Sequence, residues 1–275
     1  MALSMVEKVG SRTVDLLGEL GDFFVFVGRT FMWLVFGAFR LRNLRLFLPQ
    51  FYEIGVRSVP VVGIVGAFIG MVMAVETYSQ FAALGQEMRL GSVINLSVVK
   101  QIGPVLAAVM LAGRVGGALA AELGTMNVTE QLDALRVMGS DPIEYLVVPR
   151  FVACVVLTPI LTAYSDALGI FGGWLIAVPF FHIPNKDYWY YSSHGGVDTW
   201  QVLEGIFKGF FFGAAIGLIS CYKGFNSGSG ASGVGRACTE SFVMSFIAII
   251  ILNFVFADVS KEMYQAIYGI QSLFS

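Results

Sequence analysis

Charged residues are scarce in this sequence. Asp, Glu, Lys and Arg make up 13% of the 275 residues, whereas soluble domains carry about 25%. Hydrophobic residues make up 56% and the mean hydropathy is +0.75, so a soluble fold could not bury the apolar surface of this chain. The formal net charge is −2, without a long basic block, so nothing in the sequence indicates nucleic-acid binding. The composition predicts an integral membrane protein.

Cysteine and histidine are also sparse. The three cysteines are odd in number and widely spaced, which fits neither a disulfide framework nor a Cys-x-x-Cys metal site. The two histidines, His182 and His194, lie in an aromatic stretch together with Asp187 and Asp198. Tyr and Trp are typical of membrane interfaces, and a structural metal site usually shows four ligands at recognisable spacing. We therefore interpret this stretch as an interfacial aromatic belt that includes Tyr188, Trp189, Tyr190, Tyr191 and Trp200.

The chain lacks a nucleotide-binding motif. The glycine-rich segment 230–237 resembles a phosphate-binding loop, but Arg236 and Ala237 stand where that loop has Lys and Ser or Thr. The same segment contains the Gly-x-Ser-Gly pattern of intramembrane serine proteases, but no histidine follows residue 194 to take the serine proton. We expect no catalytic residue, metal or cofactor in this chain.

Long apolar runs predict five membrane-spanning helices. They are Ser58–Val75, Ser92–Ala121, Phe151–Phe181, Gln201–Tyr222 and Ser241–Ala257. Lys and Arg concentrate in the segments on one side, which predicts a cytoplasmic N-terminus and a C-terminus on the periplasmic side. Glycines four residues apart, such as Gly66 and Gly70, predict closely packed helices. The predicted fold class is an all-α integral membrane protein.

The N-terminal region, residues 1–50, predicts an elbow helix that lies in the membrane interface. One face of this helix carries charges four, three and seven residues apart, at Asp15, Glu19, Asp22 and Arg29. Such a helix suits anionic head groups, which would contact Arg40, Arg42 and Arg45. A sixth spanning helix at Phe23–Phe39 is the alternative. Residues 51–275 form the predicted five-span domain.

A short cytoplasmic helix is predicted between the second and third spans, at about 127–139. Asn127 can cap its start, with Glu130 reaching back, and Gly139 and Pro142 can end it. One face is apolar, with Val128, Leu132, Leu135 and Met138. The other face carries Glu130, Asp133, Ala134 and Val137, a surface suited to docking in a groove of a partner. An ordinary solvated surface helix is the alternative.

Ionisable residues inside the predicted spans each cost at least about 2.5 kcal/mol unless they are paired or hydrated. The candidates are Lys100, Arg114, Asp166, Lys208 and, nearer a helix end, Glu76. A base among them could hold a lipid phosphate, so all five are candidates for lining a lipid cavity. The alternative is that these groups pair with one another, for example Asp166 with a base, and hold the helices together.

Six short blocks carry a resemblance to a known family. They are Glu122-Leu-Gly-Thr-Met-x-Val-Thr-Glu-Gln-Leu-Asp-Ala-Leu, Met138-Gly-Ser-Asp-Pro142, Pro149-Arg150, Gly103-Pro104-Val-Leu-Ala-Ala, Ala112-Gly113-Arg114-Val-Gly116 and Phe68-Ile-Gly70-Met-Val. These blocks resemble the MlaE/YrbE permeases, the membrane subunits of MCE-type lipid ABC transporters. The likeness extends from about Phe51 to the end of the sequence.

The resemblance implies a homodimer in the bacterial inner membrane that moves phospholipid or a related lipid. It also implies two cytoplasmic ATPases, which would bind ATP and Mg, and a periplasmic protein with MCE domains. By this resemblance the ATPase would contact a set of coupling-helix residues, namely Glu130, Asp133, Ala134, Arg136 and Val137. One departure is Gln101 beside Lys100, where the family often has Glu beside a basic residue. Lys100 then needs another partner or faces a cavity.

Two other classes of function compete with this interpretation. An ion-coupled secondary transporter of an amphipathic substrate would use Asp166, Lys100 and Lys208 and would need no ATPase. A lipid-modifying enzyme would need a cluster of His, Cys or carboxylate groups within the membrane, and the predicted spans contain no histidine and few acids.

Overall fold

A computed structural model describes residues 2–37, 44–194 and 199–268, and every regular element in these ranges is a helix. The α-helices are α1 (Ala2–Gly37), α2 (Leu44–Ile54), α3 (Val59–Ala83), α4 (Leu90–Ser97), α5 (Gly103–Leu111), α6 (Gly117–Val128), α7 (Gln131–Val137), α8 (Val148–Ala177), α9 (Asn185–His194), α10 (Thr199–Phe225) and α11 (Gly230–Tyr268). Short 3-10 turns and π-helical segments join several of these helices into longer rods. The π-helical segments are Val98–Ile102, Ala112–Gly116 and Ile143–Val147.

Five helical stretches of the described residues are long and apolar enough to cross a membrane. They are Leu46–Ala83, Glu87–Val128, Ile143–Ala177, Trp200–Phe225 and Gly230–Ala266. The predicted number and order of spans are confirmed, and the protein is a multi-pass membrane protein. The expected domain boundary between residues 50 and 51 falls inside α2, which packs against α8 and therefore belongs to the bundle.

Helix α1 lies across one end of the bundle. The Glu19 carbonyl accepts a hydrogen bond from the Tyr222 hydroxyl at 3.2 Å, and Phe31 packs edge-on against Phe151 with the ring centroids 5.6 Å apart. Tyr222 lies near the end of α10 and Phe151 near the start of α8, so both contacts are at the same end of the bundle. These contacts favour the predicted elbow over a sixth span. The side chains of Arg40, Arg42 and Arg45 lie outside the described residues.

Glycines bring α3 and α8 into backbone contact at the centre of the bundle. A Cβ placed on Gly70 would collide with the backbone carbonyl of Gly169, and one on Gly172 would collide with the carbonyl of Ala67. Small residues at such positions allow helices to approach closely in lipid, where the hydrophobic effect does not drive helices together. The predicted role of the glycine spacing in close packing is confirmed at Gly70.

Replacing Gly70 with Ala is expected to lower the thermal stability of the purified protein, because the added methyl group meets a backbone carbonyl that cannot rotate away. Gly117→Ala is the matched control. Gly117 is also helical, but no atom lies within 4 Å of the position that its Cβ would occupy, and Ala favours helix by about 1 kcal/mol. Unfolding monitored by intrinsic fluorescence in detergent gives both midpoints. Equal midpoints for the two variants would contradict the close approach.

The aromatic stretch at the opposite end forms α9 rather than a uniform interfacial belt. Tyr188 is completely buried, and its hydroxyl donates to the carbonyl of Ile170 at 3.1 Å. Burial raises the pKa of Tyr188 above its ordinary value. Trp189 and Tyr190 are exposed and fit the predicted belt. Asp198 and the side chain of His194 lie outside the described residues, and the described residues contain no group of three potential metal ligands.

Candidate functional site

The segment between the second and third spans begins as a continuation of α6. This helix runs to Val128, and a turn at Thr129 and Glu130 separates it from α7. Glu130 has a left-handed φ of 58°, which is uncommon for a residue other than glycine. The predicted start of the helix near Val128 is therefore wrong, because α7 begins only at Gln131.

Asn127 does not cap α7, which corrects the predicted capping box. Its side-chain amide instead donates to the carbonyl of Ser227 at 3.2 Å. The hydroxyl of Ser227 in turn donates to the carbonyl of Gly124 at 3.4 Å. These hydrogen bonds tie the end of α6 to the loop between α10 and α11.

The C-terminal end of α7 agrees with the prediction. Gly139 adopts the left-handed conformation, with a φ of 75°. The Ser140 N–H donates to the Leu135 carbonyl at 3.1 Å and the Gly139 N–H to the Arg136 carbonyl at 3.0 Å. This pair of bonds is the Schellman arrangement, which satisfies the last carbonyls of a helix and stops it.

The outer face of α7 is exposed. All five predicted docking residues, Glu130, Asp133, Ala134, Arg136 and Val137, are exposed, and the apolar side chain of Val137 is 89% accessible. Arg136 forms an ion pair with Asp133 at 2.8 Å. On the inner face Leu132 is buried, whereas Val128 and Met138 are exposed. Two of the four residues of the predicted apolar face are therefore not packed against the bundle.

Lys208 is buried in the bundle and has polar partners. Its ammonium lies 2.7 Å from a carboxylate oxygen of Glu204, one helical turn earlier, and both side chains are almost fully buried. Pro104 has no N–H and cannot donate to the carbonyl of Lys100 four residues before it. Lys208 donates to this carbonyl at 3.2 Å. The ammonium thus replaces a missing helical donor and is not free to hold a lipid.

Arg114 is also held by neighbouring groups. Its guanidinium donates to the hydroxyl of Ser58 at 2.5 Å and to the carbonyl of Glu53 at 3.4 Å. The Glu53 carboxylate lies 4.0 Å away. Arg114 sits in the π-helical segment Ala112–Gly116, and irregular helical turns of this type often occur at functional sites. This interaction joins the second span to the junction between α2 and α3.

Asp166, Lys100 and Glu76 occupy different environments. Asp166 is buried beside Gly103, and its Oδ1 accepts no hydrogen bond from the residues that the structure describes. The side chains of Lys100 and Glu76 are exposed. The structure therefore does not bring the five intramembrane candidates together in one cluster. Asp166 forms no ion pair with a base in the described ranges. The predicted pairing of Asp166 with a base is therefore wrong.

Glu53 and Glu204, which pair with these bases, were missed by sequence reasoning. Glu204 and Lys208 are four residues apart on one helix, and this spacing of an acid before a base was a usable signal. Glu53 lies outside the apolar runs and 61 residues from Arg114, and no local pattern links the two. The idea that intramembrane charges pair is thus confirmed for Lys208, with a different partner.

Residues from two different sequence blocks, Glu122 and Arg150, form an ion pair. Arg150, at the start of α8, is buried, and its guanidinium lies 2.9 Å from the carboxylate of Glu122 in α6. A second guanidinium nitrogen donates to the Leu146 carbonyl at 3.0 Å. Glu122 and Arg150 therefore fix the two helices from which the coupling segment, defined as residues 129–142, projects.

Comparisons with known proteins agree with this architecture. The sequence model of the family described as "Permease MlaE" matches residues 47–259. A probable ABC transporter permease protein of Rickettsia felis is 38% identical over 258 residues, which are 94% of this chain and 98% of that protein. The intermembrane phospholipid transport system permease protein MlaE of Haemophilus influenzae is 30% identical over 93% of this chain and 97% of its own length. The chloroplastic protein TRIGALACTOSYLDIACYLGLYCEROL 1 of Arabidopsis thaliana is 34% identical over 85% of this chain and 66% of its own.

The family match covers most of the chain, including all of the coupling segment and the ion pairs of Lys208, Arg114 and Arg150. The curated relatives align over nearly their full length in the bacterial cases. The chain belongs to the MlaE permease family.

Proposed function

We propose that this chain is the permease subunit of an ABC transporter that moves phospholipid or a related lipid between membranes. Two copies would form the pore, a separate cytoplasmic ATPase would bind ATP and Mg, and a periplasmic MCE-domain protein would receive or deliver the lipid. The chain itself would bind no nucleotide and would sit in the bacterial inner membrane, with its N-terminus in the cytoplasm and its C-terminus in the periplasm.

The observation that carries the proposal is the coupling segment. A seven-residue helix projects from the end of the bundle, fixed at its base by Glu122 and Arg150 at 2.9 Å. Its outer face combines acidic side chains with the exposed Val137. An isolated solvated helix gains nothing from an apolar side chain in water, whereas a groove in a partner would bury it. This surface therefore supports docking of a cytoplasmic subunit.

A groove on the side of the bundle supports a lipid cargo. It has a volume of about 500 Å³ and is lined only by apolar side chains of α3 and of the start of α5, among them Phe68, Val72 and Leu106. Ile102, which also lines the groove, is two residues from the exposed Lys100, so these two side chains point to different sides of the helix. The ammonium of Lys100 has no acidic partner among the described residues. An acyl chain would fit the groove, and the Lys100 ammonium would be a separate contact for a phosphate on another face of the helix.

Native mass spectrometry of the tagged chain, extracted gently from its own membranes, tests the proposal. We expect an assembly of two permeases, two ATPases and an MCE-domain protein that carries phospholipid. The masses of bound lipids would also identify the class of cargo. A lone chain or a homodimer without either partner, reproduced in several detergents, would favour the ion-coupled secondary transporter instead.

A further inference from the structure

The segment Met138–Pro142 does more than end α7. The carboxylate of Asp141 accepts two hydrogen bonds of equal length from different parts of the chain. Oδ1 accepts from the backbone N–H of Ile143 at 2.9 Å, which caps the helix that leads into α8. Oδ2 accepts from the indole N–H of Trp33 in α1, also at 2.9 Å. The second bond joins residues 108 positions apart in the sequence.

Apolar packing keeps the Trp33 side chain next to this carboxylate. Trp33 packs against a buried cluster that includes Phe26 of α1 and Ile143 and Val147 at the start of the third span. Thr30, between the two aromatic residues, is completely buried and donates to the Phe26 carbonyl at 2.9 Å. A hydrogen bond to a charged acceptor is stronger than one between neutral groups. The hydrogen bond between Trp33 and Asp141, called the joint below, therefore holds α1 against the C-terminal end of the coupling segment.

Next to this joint, α1 and the end of α7 are separated by open space. A cavity of about 640 Å³ lies between them, lined by Asp22 and Arg29 of α1 and by Arg136 and Gly139 of the coupling segment. The end of α7 can therefore move relative to most of α1 without a steric clash. Movement of Asp141 itself, however, must either pull on Trp33 or break its hydrogen bond.

We propose that Asp141 and Trp33 are positioning residues of the transport cycle, which tie α1 to the coupling segment so that a displacement of α7 moves α1 together with α8. This inference rests on the proposed function, in which a docked ATPase displaces α7. The membrane-surface helix would then follow each ATP-driven step and change how the bundle meets the lipid head groups.

Trp33→Phe is the most direct test. Phe keeps an aromatic ring in the apolar cluster and leaves the cap of Asp141 on Ile143 intact, while the N–H donor is lost together with part of the ring. Trp174→Phe is the matched control, because the Trp174 indole also donates a single hydrogen bond, to Asn185 at 2.8 Å, at the opposite end of the bundle. Both variants are reconstituted with the ATPase and MCE partners in proteoliposomes that contain fluorescent phospholipid.

The lipid transported per ATP hydrolysed is expected to fall about tenfold in Trp33→Phe, as for loss of one hydrogen bond to a charged group, and to stay at the wild-type value in Trp174→Phe. Hydrogen exchange gives a second readout. In wild type, ATP binding should change exchange both in α1 and at the start of α8, whereas in Trp33→Phe only the α8 change should remain. An equal ratio in the two variants, or an α1 response that persists in Trp33→Phe, would overturn the inference.

Asp141→Ala provides an independent variant if Trp33→Phe folds poorly. It removes both carboxylate acceptors, including the one for the Trp33 N–H, so the same loss of transport per ATP is expected, and wild-type behaviour would overturn the inference. Failure of the proposed function itself is recognised in the wild-type protein alone, as absence of ATPase binding or of ATP-dependent transport. That result would overturn both proposals. A loss of lipid transport per ATP that occurs only in the Trp33 and Asp141 variants would support both.

Discussion

Replacing Lys208 with Met is expected to destabilise the folded protein by about 3 kcal/mol, because removal of one partner leaves an uncompensated buried charge. Glu204 is almost completely buried and its carboxylate lies 2.7 Å from the Lys208 ammonium. The same substitution removes the donor to the Lys100 carbonyl, which Pro104 cannot replace. The unfolding midpoint of the purified protein in detergent measures the effect.

The double variant Lys208→Met with Glu204→Gln separates the charge effect from the loss of packing. Most of the stability should return, since a neutral amide is much cheaper to bury than an unpaired carboxylate. Lys186→Met, at an exposed position of α9, is the control for removal of a lysine and should leave the midpoint unchanged. If Lys208→Met kept full stability but lost bound phospholipid, Lys208 would be a lipid ligand and its structural role would be wrong.

The number, order and type of the spanning helices could be predicted from the sequence because a lipid environment requires a long, continuous apolar run for each span. A spanning helix needs about 20 mostly apolar residues, and the runs that end at Val75 and Ala257 meet this condition with few or no charges. The helix ends could not be predicted in the same way. Helix α11, for instance, extends to Gly230, well before the apolar run, because polar residues at the membrane surface also form helix.

The contacts between helices were beyond sequence reasoning. Asn127 followed by Glu130 has the local pattern of a capping box, but the Asn127 amide bonds to Ser227, 100 residues later. A local pattern states only which hydrogen bonds are available, and a tertiary partner decides which one forms. The same holds for Arg114, whose partner Glu53 lies in a helix that the apolar runs do not include.

Charge reversal on the coupling segment is expected to abolish association with the proposed ATPase partner while the fold stays intact. In the variant Glu130→Lys/Asp133→Lys, two exposed acidic side chains become basic. Like charges juxtaposed across an interface cost several kcal/mol, so recovery of the ATPase with the tagged permease should fall about a hundredfold. The ion pair of Asp133 with Arg136 is also lost, but both side chains are more than half exposed and such pairs contribute little to stability.

The matched control is Glu87→Lys/Glu262→Lys, which reverses two exposed acidic residues at the opposite end of the bundle. This variant should bind the ATPase as wild type does, because it makes the same change in net charge at a distance from the coupling segment. Both variants should elute as wild type in size-exclusion chromatography without the partner. If ATP-dependent lipid transport survives in Glu130→Lys/Asp133→Lys, the ATPase acts on the bundle through a surface other than the coupling segment. The exposed face of α7 would then be an ordinary solvated surface, as the alternative interpretation of this helix holds.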